Sequence, residues 1–251
     1  MRVPVDRNKA QRQWDAFCAV LRDTGLQVSI IDPVSDLEDM VFAANQVFVG
    51  WHEQTGKFIV PSEMRFPSRQ REVPHYVEWF AQRGYKIIAL DLSGECLEGG
   101  GDLLWHPDRS RIWAGYGIRS TAGGVKRFAS AMNDLDFSVT PLQLVDEFFY
   151  HLDTCLCPLN SEAAIFYPGA FSRDAQQVLD SEWKRLYAVD REEALQFACN
   201  GLAVSGRYLS SRLTRTVETA LKGEHLEPIL VDVSEFEKSG GSVFCMKTFL
   251  D

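Results

Sequence analysis

The sequence predicts an α/β fold, and three observations carry that prediction. Strand-type and helix-type segments alternate along all 251 residues instead of segregating into halves. Groups of strand, strand, helix and strand recur at roughly fifty residues, a period that suggests a radially repeated architecture. No Ser/Gly/Pro-rich linker interrupts the alternation, so residues 1–251 are expected to form a single domain with a substantial core.

The elements follow in order. Residues 7–24 read as an amphipathic helix, with Trp14, Phe17, Cys18 and Leu21 at helical spacing and Thr24-Gly25 as its stop. A buried strand is expected at 28–31, broken by Asp32-Pro33. Strands follow at 41–49 and 57–61, a helix over 71–82, and a strand at 87–90. Glycines 99–101 form a turn before strands near 103–105 and 111–116. A helix over 125–133 precedes an extended segment at 136–141. Residues 148–155 alternate as a strand does, and 163–167 form another. Helical segments are expected at 172–178 and 181–186, with extended chain at 187–189. Residues 202–205 and 208–210 make a hairpin, 215–222 a helix, and 229–233 and 243–250 the last strands. The helix begins almost at Met1, so either the first repeated unit is incomplete, with an open sheet edge, or the stated start lies downstream of the true one.

Composition narrows the function. Hydrophobic residues make up 45% and charged residues 24%, as in ordinary globular chains. The net charge of −9 argues against a nucleic-acid or anionic-membrane partner. The first twenty residues are polar where a secretory leader would be apolar, and no apolar run is long enough to cross a bilayer. A cytoplasmic protein is expected. The six cysteines at 18, 96, 155, 157, 199 and 245 do not read as a disulfide framework in a chain of this length. Neither CxxC nor HExxH is present, so a zinc site is not expected.

Five segments hold residue types suited to chemistry. Cys245 follows the turn Ser239-Gly240-Gly241, placed at a strand edge; alone, it also reads as a small buried hydrophobe. In Phe148-Phe149-Tyr150-His151-Leu152-Asp153-Thr154, strand period two puts His151 and Asp153 on one face, an arrangement suited to acid/base work. Glu98-Gly99-Gly100-Gly101-Asp102 lets a ligand approach the backbone between two carboxylates, and it lacks the GxGxxG spacing of a dinucleotide site. Asp39 and Asn45 flank an apolar stretch and could bind a planar cation at a site mouth. Arg69 and Arg119 stand in loops, where an arginine holds a substrate carboxylate in bidentate fashion or is solvated surface charge.

Taken in order, these segments resemble the guanidino-group-modifying enzymes of the pentein fold: dimethylargininases, arginine deiminases, arginine dihydrolases and amidinotransferases. The resemblance covers nearly the whole chain. It implies an α/β propeller of pseudo-fivefold ββαβ repeats, a single amidinotransferase-like catalytic domain. It implies Cys245 as nucleophile, His151 as general acid/base and Glu98 as the acid that orients the histidine. Asp39 and Asp153 would hold a guanidinium, Arg69 and Arg119 a substrate carboxylate, and Asn45 stands where some members carry aspartate. Asp102 ends a turn with one more glycine than several members have, so its role is left open.

The resemblance implies hydrolysis of a C–N bond at the guanidine carbon of an arginine-like small molecule through a covalent thiouronium, with no metal or organic cofactor. Position 44 is alanine where dimethylargininases carry a carboxylate, which leans toward free arginine as substrate. An amidinotransferase and a catalytically silent binding module are the alternatives. A homodimer stays open.

Overall fold

A computed structural model of the chain describes residues 4–250. Among these residues the strands form four separate three-stranded sheets, each built the same way. The first is Val47–His52 (β1), Gly56–Pro61 (β2) and Lys86–Ile87 (β3). The second is Leu103–Trp105 (β4), Arg111–Tyr116 (β5) and Ser138–Gln143 (β6). Leu156–Pro158 (β7), Ala163–Phe166 (β8) and Arg185–Ala188 (β9) make the third, and Leu202–Val204 (β10), Arg207–Ser210 (β11) and Glu227–Leu230 (β12) the fourth.

In every sheet the first two strands pair antiparallel as a hairpin, and the third pairs parallel with the second. A parallel pair cannot be closed by a tight turn, so each unit needs a crossover, and a helix supplies it. Those helices are Val73–Ala81, Ala122–Asn133, Arg173–Glu182 and Arg215–Gly223. Each buries one stripe: Val125, Phe128 and Met132 in the second, for example, at the i, i+3, i+7 spacing of a helix face. Side-chain caps start two of them, with Thr121 accepting from the Gly124 N–H and Ser172 from the Ala175 N–H.

The helix Arg7–Asp23 belongs to a fifth unit. It buries Phe17, Cys18 and Leu21 and is followed by extended chain, as the other helices are. Strands β1, β4 and β10, Pro158 of β7 and the tail residues Phe244, Lys247, Thr248 and Phe249 line a central cavity of about 270 Å³. Four sheet units and the tail thus surround one cavity, as expected for radially repeated units.

Several sequence expectations are corrected. Residues 28–31 do not form a buried strand; they lie half-exposed to exposed, and no strand among the described residues pairs with them. The apolar stretch 41–49 divides into a 3-10 turn, Glu38–Val41, and β1, which starts only at Val47. Residues 148–155 are a loop with a 3-10 turn at Leu152–Thr154. Residues 181–186 are the end of one helix and the start of β9, since Trp183 turns extended and packs on Trp113 and His106. Residues 243–250 are not a strand; Val243, Cys245 and Met246 are buried, whereas Phe249 is exposed. At 41–49 and 243–250 an apolar run implies a ladder, and at 148–155 an alternating one; burial by tertiary neighbours produces such runs without a ladder.

Candidate active site

The site assembles where the axial ends of several units meet. The short helix Gly99–Asp102 brings the chain against the start of β1. A Cβ on Gly101 would lie 2.2 Å from Asn45 Nδ2 and 3.2 Å from the His151 ring, so only glycine lets these side chains lie against the backbone. Gly99 has φ +42° and backs onto the Asn45 and Val47 carbonyls.

Glu98 and Asp102, at the two ends of this turn, are both fully buried. His151 Nε2 lies 2.7 Å from Glu98 Oε2, and Asn45 Nδ2 lies 3.4 Å from His151 Nδ1. Arg119 donates from Nε to Glu98 Oε1 at 3.0 Å; its Nη2 is 2.9 Å from Oε2 but is not aimed at it, so donors remain on that nitrogen. Glu98 also accepts from the Arg65 N–H at 2.9 Å. Burial would raise its carboxyl, but the hydrogen bond and charge of His151 and the charge of Arg119 prevail, holding it down to about 2. Asp102 differs. Burial raises its carboxyl to about 6, and it accepts from the Ser120 hydroxyl (2.6 Å), the Ser120 N–H and the Leu152 N–H. Its bonds tie the turn after His151 to the glycine turn.

Cys245 forms the other half. Its thiol donates to Asp153 Oδ2 at 3.1 Å, and Asn200 Nδ2 lies 3.2 Å from the sulfur. Asn200 also donates to the Asp153 carbonyl at 2.8 Å, and the Asn200 carbonyl accepts from the Phe244 N–H. The Cys245 carbonyl in turn accepts from the Ala44 N–H. The tail is thus fixed by single bonds to two different units, which is why it needs no strand ladder. Burial pushes the Cys245 thiol well above its usual range, and the Asp153 charge adds to this. Burial also raises Asp153, with the His151 charge acting in the opposite sense. Asp153 Oδ1 has no hydrogen-bond partner.

Cys245, His151, Glu98, Asp153 and Asn45 therefore converge, although ninety-four positions separate the first two. The reason given for placing His151 beside Asp153 is corrected: they do not share a strand face, and the 3-10 turn brings both inward. Cys245 does not sit at a strand edge, and its sulfur bonds Asp153 and Asn200.

The two arginines are also more constrained than loop positions suggest. Arg69 is buried against Glu72, which Gln46 anchors at 2.6 Å, and it reaches the Asp39 carbonyl and Asn45 Oδ1. Asp39 lies on the 3-10 turn, half-buried. Sequence reasoning missed Asn200 and Glu72. Asn200 stands beside Gly201 at the start of β10, a polar residue opening a strand, which was the available signal.

The comparisons with known proteins follow the geometry. Residues 3–249 match the family model described as "N,N dimethylarginine dimethylhydrolase, eukaryotic". The chain is 33% identical over 245 residues to the bifunctional arginine dihydrolase/ornithine cyclodeaminase AgrE of Nostoc sp., covering 96% of this chain and 33% of that protein. It thus spans about a third of that relative's length. It is 34% identical over 242 residues to the N(G),N(G)-dimethylarginine dimethylaminohydrolase of Mycobacterium tuberculosis, covering 96% of this chain and 76% of that one. The crystal structure of the N-terminal domain of ArgZ covalently bound to a reaction intermediate superposes with a TM-score of 0.88 at 30% identity, over 96% of this chain and 86% of that one. A dimethylarginine dimethylaminohydrolase adduct with S-methyl-L-thiocitrulline matches at TM-score 0.81 and 20% identity over 96% and 89% of the two chains, a likeness of fold.

Proposed function

The chain belongs to the N,N-dimethylarginine dimethylhydrolase family, and from that premise we propose that it hydrolyses C–N bonds at the guanidine carbon of arginine, with Cys245 as nucleophile. The observation that carries the reading is the buried thiol held on Asp153 in the same cluster as the His151–Glu98 pair.

Burial beside a carboxylate disfavours the Cys245 thiolate. A guanidinium reverses this. A cation about 4 Å from sulfur, at an effective dielectric near 20, contributes roughly 4 kcal/mol, or about three pH units of thiol acidity. The substrate thus generates its own nucleophile, and a neutral amide would leave Asp153 unpaired. The thiolate attacks the guanidine carbon. His151, charged against Glu98, protonates the departing nitrogen, which leaves as an amine, and a thiouronium remains on sulfur. Neutral His151 then takes a proton from water, the hydroxide adds to the same carbon, and the C–S bond breaks. Asp39 and Asp153 contribute to holding the cation, and the remaining donors of Arg119, with Arg69, hold the α-carboxylate.

Unsubstituted arginine is favoured over methylated arginine by Ala44 and Asn45. Asn45 supplies an amide locked between Arg69 and His151. The kinship with proteins named arginine dihydrolases supports the same reading. Hydrolysis of dimethylarginine is the second reading, supported by the M. tuberculosis relative. Mass spectrometry of products from arginine, methylated arginines and agmatine decides between them. Ammonia with ornithine or citrulline from arginine is expected. Methylamines with citrulline, and no turnover of arginine, would establish the second reading; no turnover of any guanidine overturns both.

A further inference from the structure

Asp102, at the end of the short helix Gly99–Asp102, takes no part in the reaction described above, although it is fully buried beside the groups that do. Its carboxylate meets a hydroxyl and two backbone N–H groups. Oδ1 accepts from the Leu152 N–H at 3.0 Å. Oδ2 accepts from the Ser120 hydroxyl at 2.6 Å and the Ser120 N–H at 3.2 Å. Leu152 follows His151 and Ser120 follows Arg119, so each donor adjoins one of the two side chains that meet Glu98. Ser120 Oγ also accepts from the Glu98 N–H at 2.9 Å. A continuous chain of bonds thus runs from the Glu98 backbone through Ser120 and Asp102 to the segment that carries His151.

We propose that Asp102 is a positioning residue for the hydrolysis proposed above: through Ser120 and Leu152 it holds Arg119 and His151 in register on the Glu98 carboxylate. Its consequence for turnover rests on that functional reading. The chemistry of the place selects a carboxylate. All three neighbours donate, so the site needs a group that only accepts, and ionised aspartate accepts on both oxygens. A side chain with an N–H or O–H of its own would turn a donor toward a donor. The Leu152 N–H opens the 3-10 turn Leu152–Thr154, where the turn itself offers no acceptor, and Asp102 supplies one. Bonds to an ionised acceptor offset part of the cost of burying it.

The pair so held tolerates little displacement. His151 Nε2 lies 2.7 Å from Glu98 Oε2, and Arg119 Nε donates to Oε1 at 3.0 Å. A shift of about 1 Å in either backbone segment carries these contacts beyond hydrogen-bond range.

Asp102→Asn keeps the size of the side chain and replaces one acceptor by two donors. Ser120→Ala removes the hydroxyl and leaves Asp102 in place. Both are made in the full chain, with circular dichroism to establish folding, and Ser120→Ala takes the place of Asp102→Asn throughout if the latter does not fold. The first readout needs no turnover. In 15N-histidine-labelled protein in water, the Nε2 proton held on Glu98 should give a resonance downfield of the backbone amides, identified by its loss in Glu98→Gln. In either folded variant it should move upfield, toward the position of a free imidazole. A resonance that stays in place, or none in the parent, overturns the inference.

The second readout separates positioning from stability. Asp102→Asn should lower kcat for the guanidine substrate by about 10- to 100-fold, with KM within about threefold of the parent. In a Glu98→Gln background the same change should lower kcat by less than about threefold, because the pair it positions is already lost. Equal factors in the two backgrounds overturn the inference. If no guanidine is turned over but the resonance moves, the functional reading fails and this inference stands. If a guanidine is turned over through Cys245 and the resonance is unmoved, this inference alone fails.

Discussion

The two halves of the site hold the same kinds of group and treat charge in opposite ways. Around Glu98 the negative charge is compensated: Arg119, His151 and a backbone N–H meet one buried carboxylate and hold it near 2. Around Cys245 it is not. Asp153 is equally buried, its carboxylate meets only the Cys245 thiol, and burial raises its carboxyl. A compensated pair orients a base and resists change. In the proposed reaction, an uncompensated one is poised for an incoming cation, which would link turnover to substrate charge.

Four changes would break or sharpen this contrast. The largest effect is expected at the uncompensated half. Cys245→Ser should lower turnover of the guanidine substrate by at least about 10⁴-fold, measured as product released per enzyme, whereas Cys157→Ser should stay within a few-fold. Equal damage from both would misassign the nucleophile.

Glu98→Gln comes next, with kcat falling on the order of 10²–10³-fold because His151 loses its charged partner. The same carboxylate should show in stability. Its folded pKa lies below the unfolded value of 4.5. Its contribution is therefore complete above pH 4.5 and is lost as pH falls toward 2. Urea unfolding at pH 6 and pH 3 should show an acid-dependent loss of up to about 3 kcal/mol from this group. The Gln variant should lack that part of the loss, and a variant as acid-sensitive as the parent would contradict the assignment.

Asp153→Asn separates binding from thiol acidity. KM for arginine should rise about tenfold or more, while iodoacetamide alkylation of Cys245 at pH 7 should become faster, because a negative neighbour has been removed. Parallel losses in both assays would mean that Asp153 only maintains the fold. Asn45→Asp should have the smallest effect, a change of a few-fold in the ratio of methylated to unmethylated arginine turnover, read by competition between the two substrates. An unaltered ratio would remove Asn45 from substrate choice.

The sequence was most legible where a period had a single physical cause. Helices 73–81, 122–133 and 215–223 show a 3.6-residue apolar stripe, and the hairpin of β10 and β11 is broken by Ser205-Gly206, both at positive φ. It was least legible where burial came from the assembly. The 148–155 and 243–250 segments look like strands because residues 151–155, Val243, Cys245 and Met246 are buried, yet the Leu152 N–H bonds the Asp102 side chain and the tail bonds singly to Asn200 and Ala44.

The chain alone therefore determined the repeated ββαβ order and the identities of Cys245, His151, Glu98, Asp153 and Asn45, since residue type and motif order are written along it. Only the tertiary structure decided that Asn200 sits against the sulfur of Cys245 and that Arg69 and Arg119 meet Glu72 and Glu98. The physical reason is that hydrogen bonds and buried charges depend on distance in space, and closing five units around one axis brings together side chains that no local spacing relates.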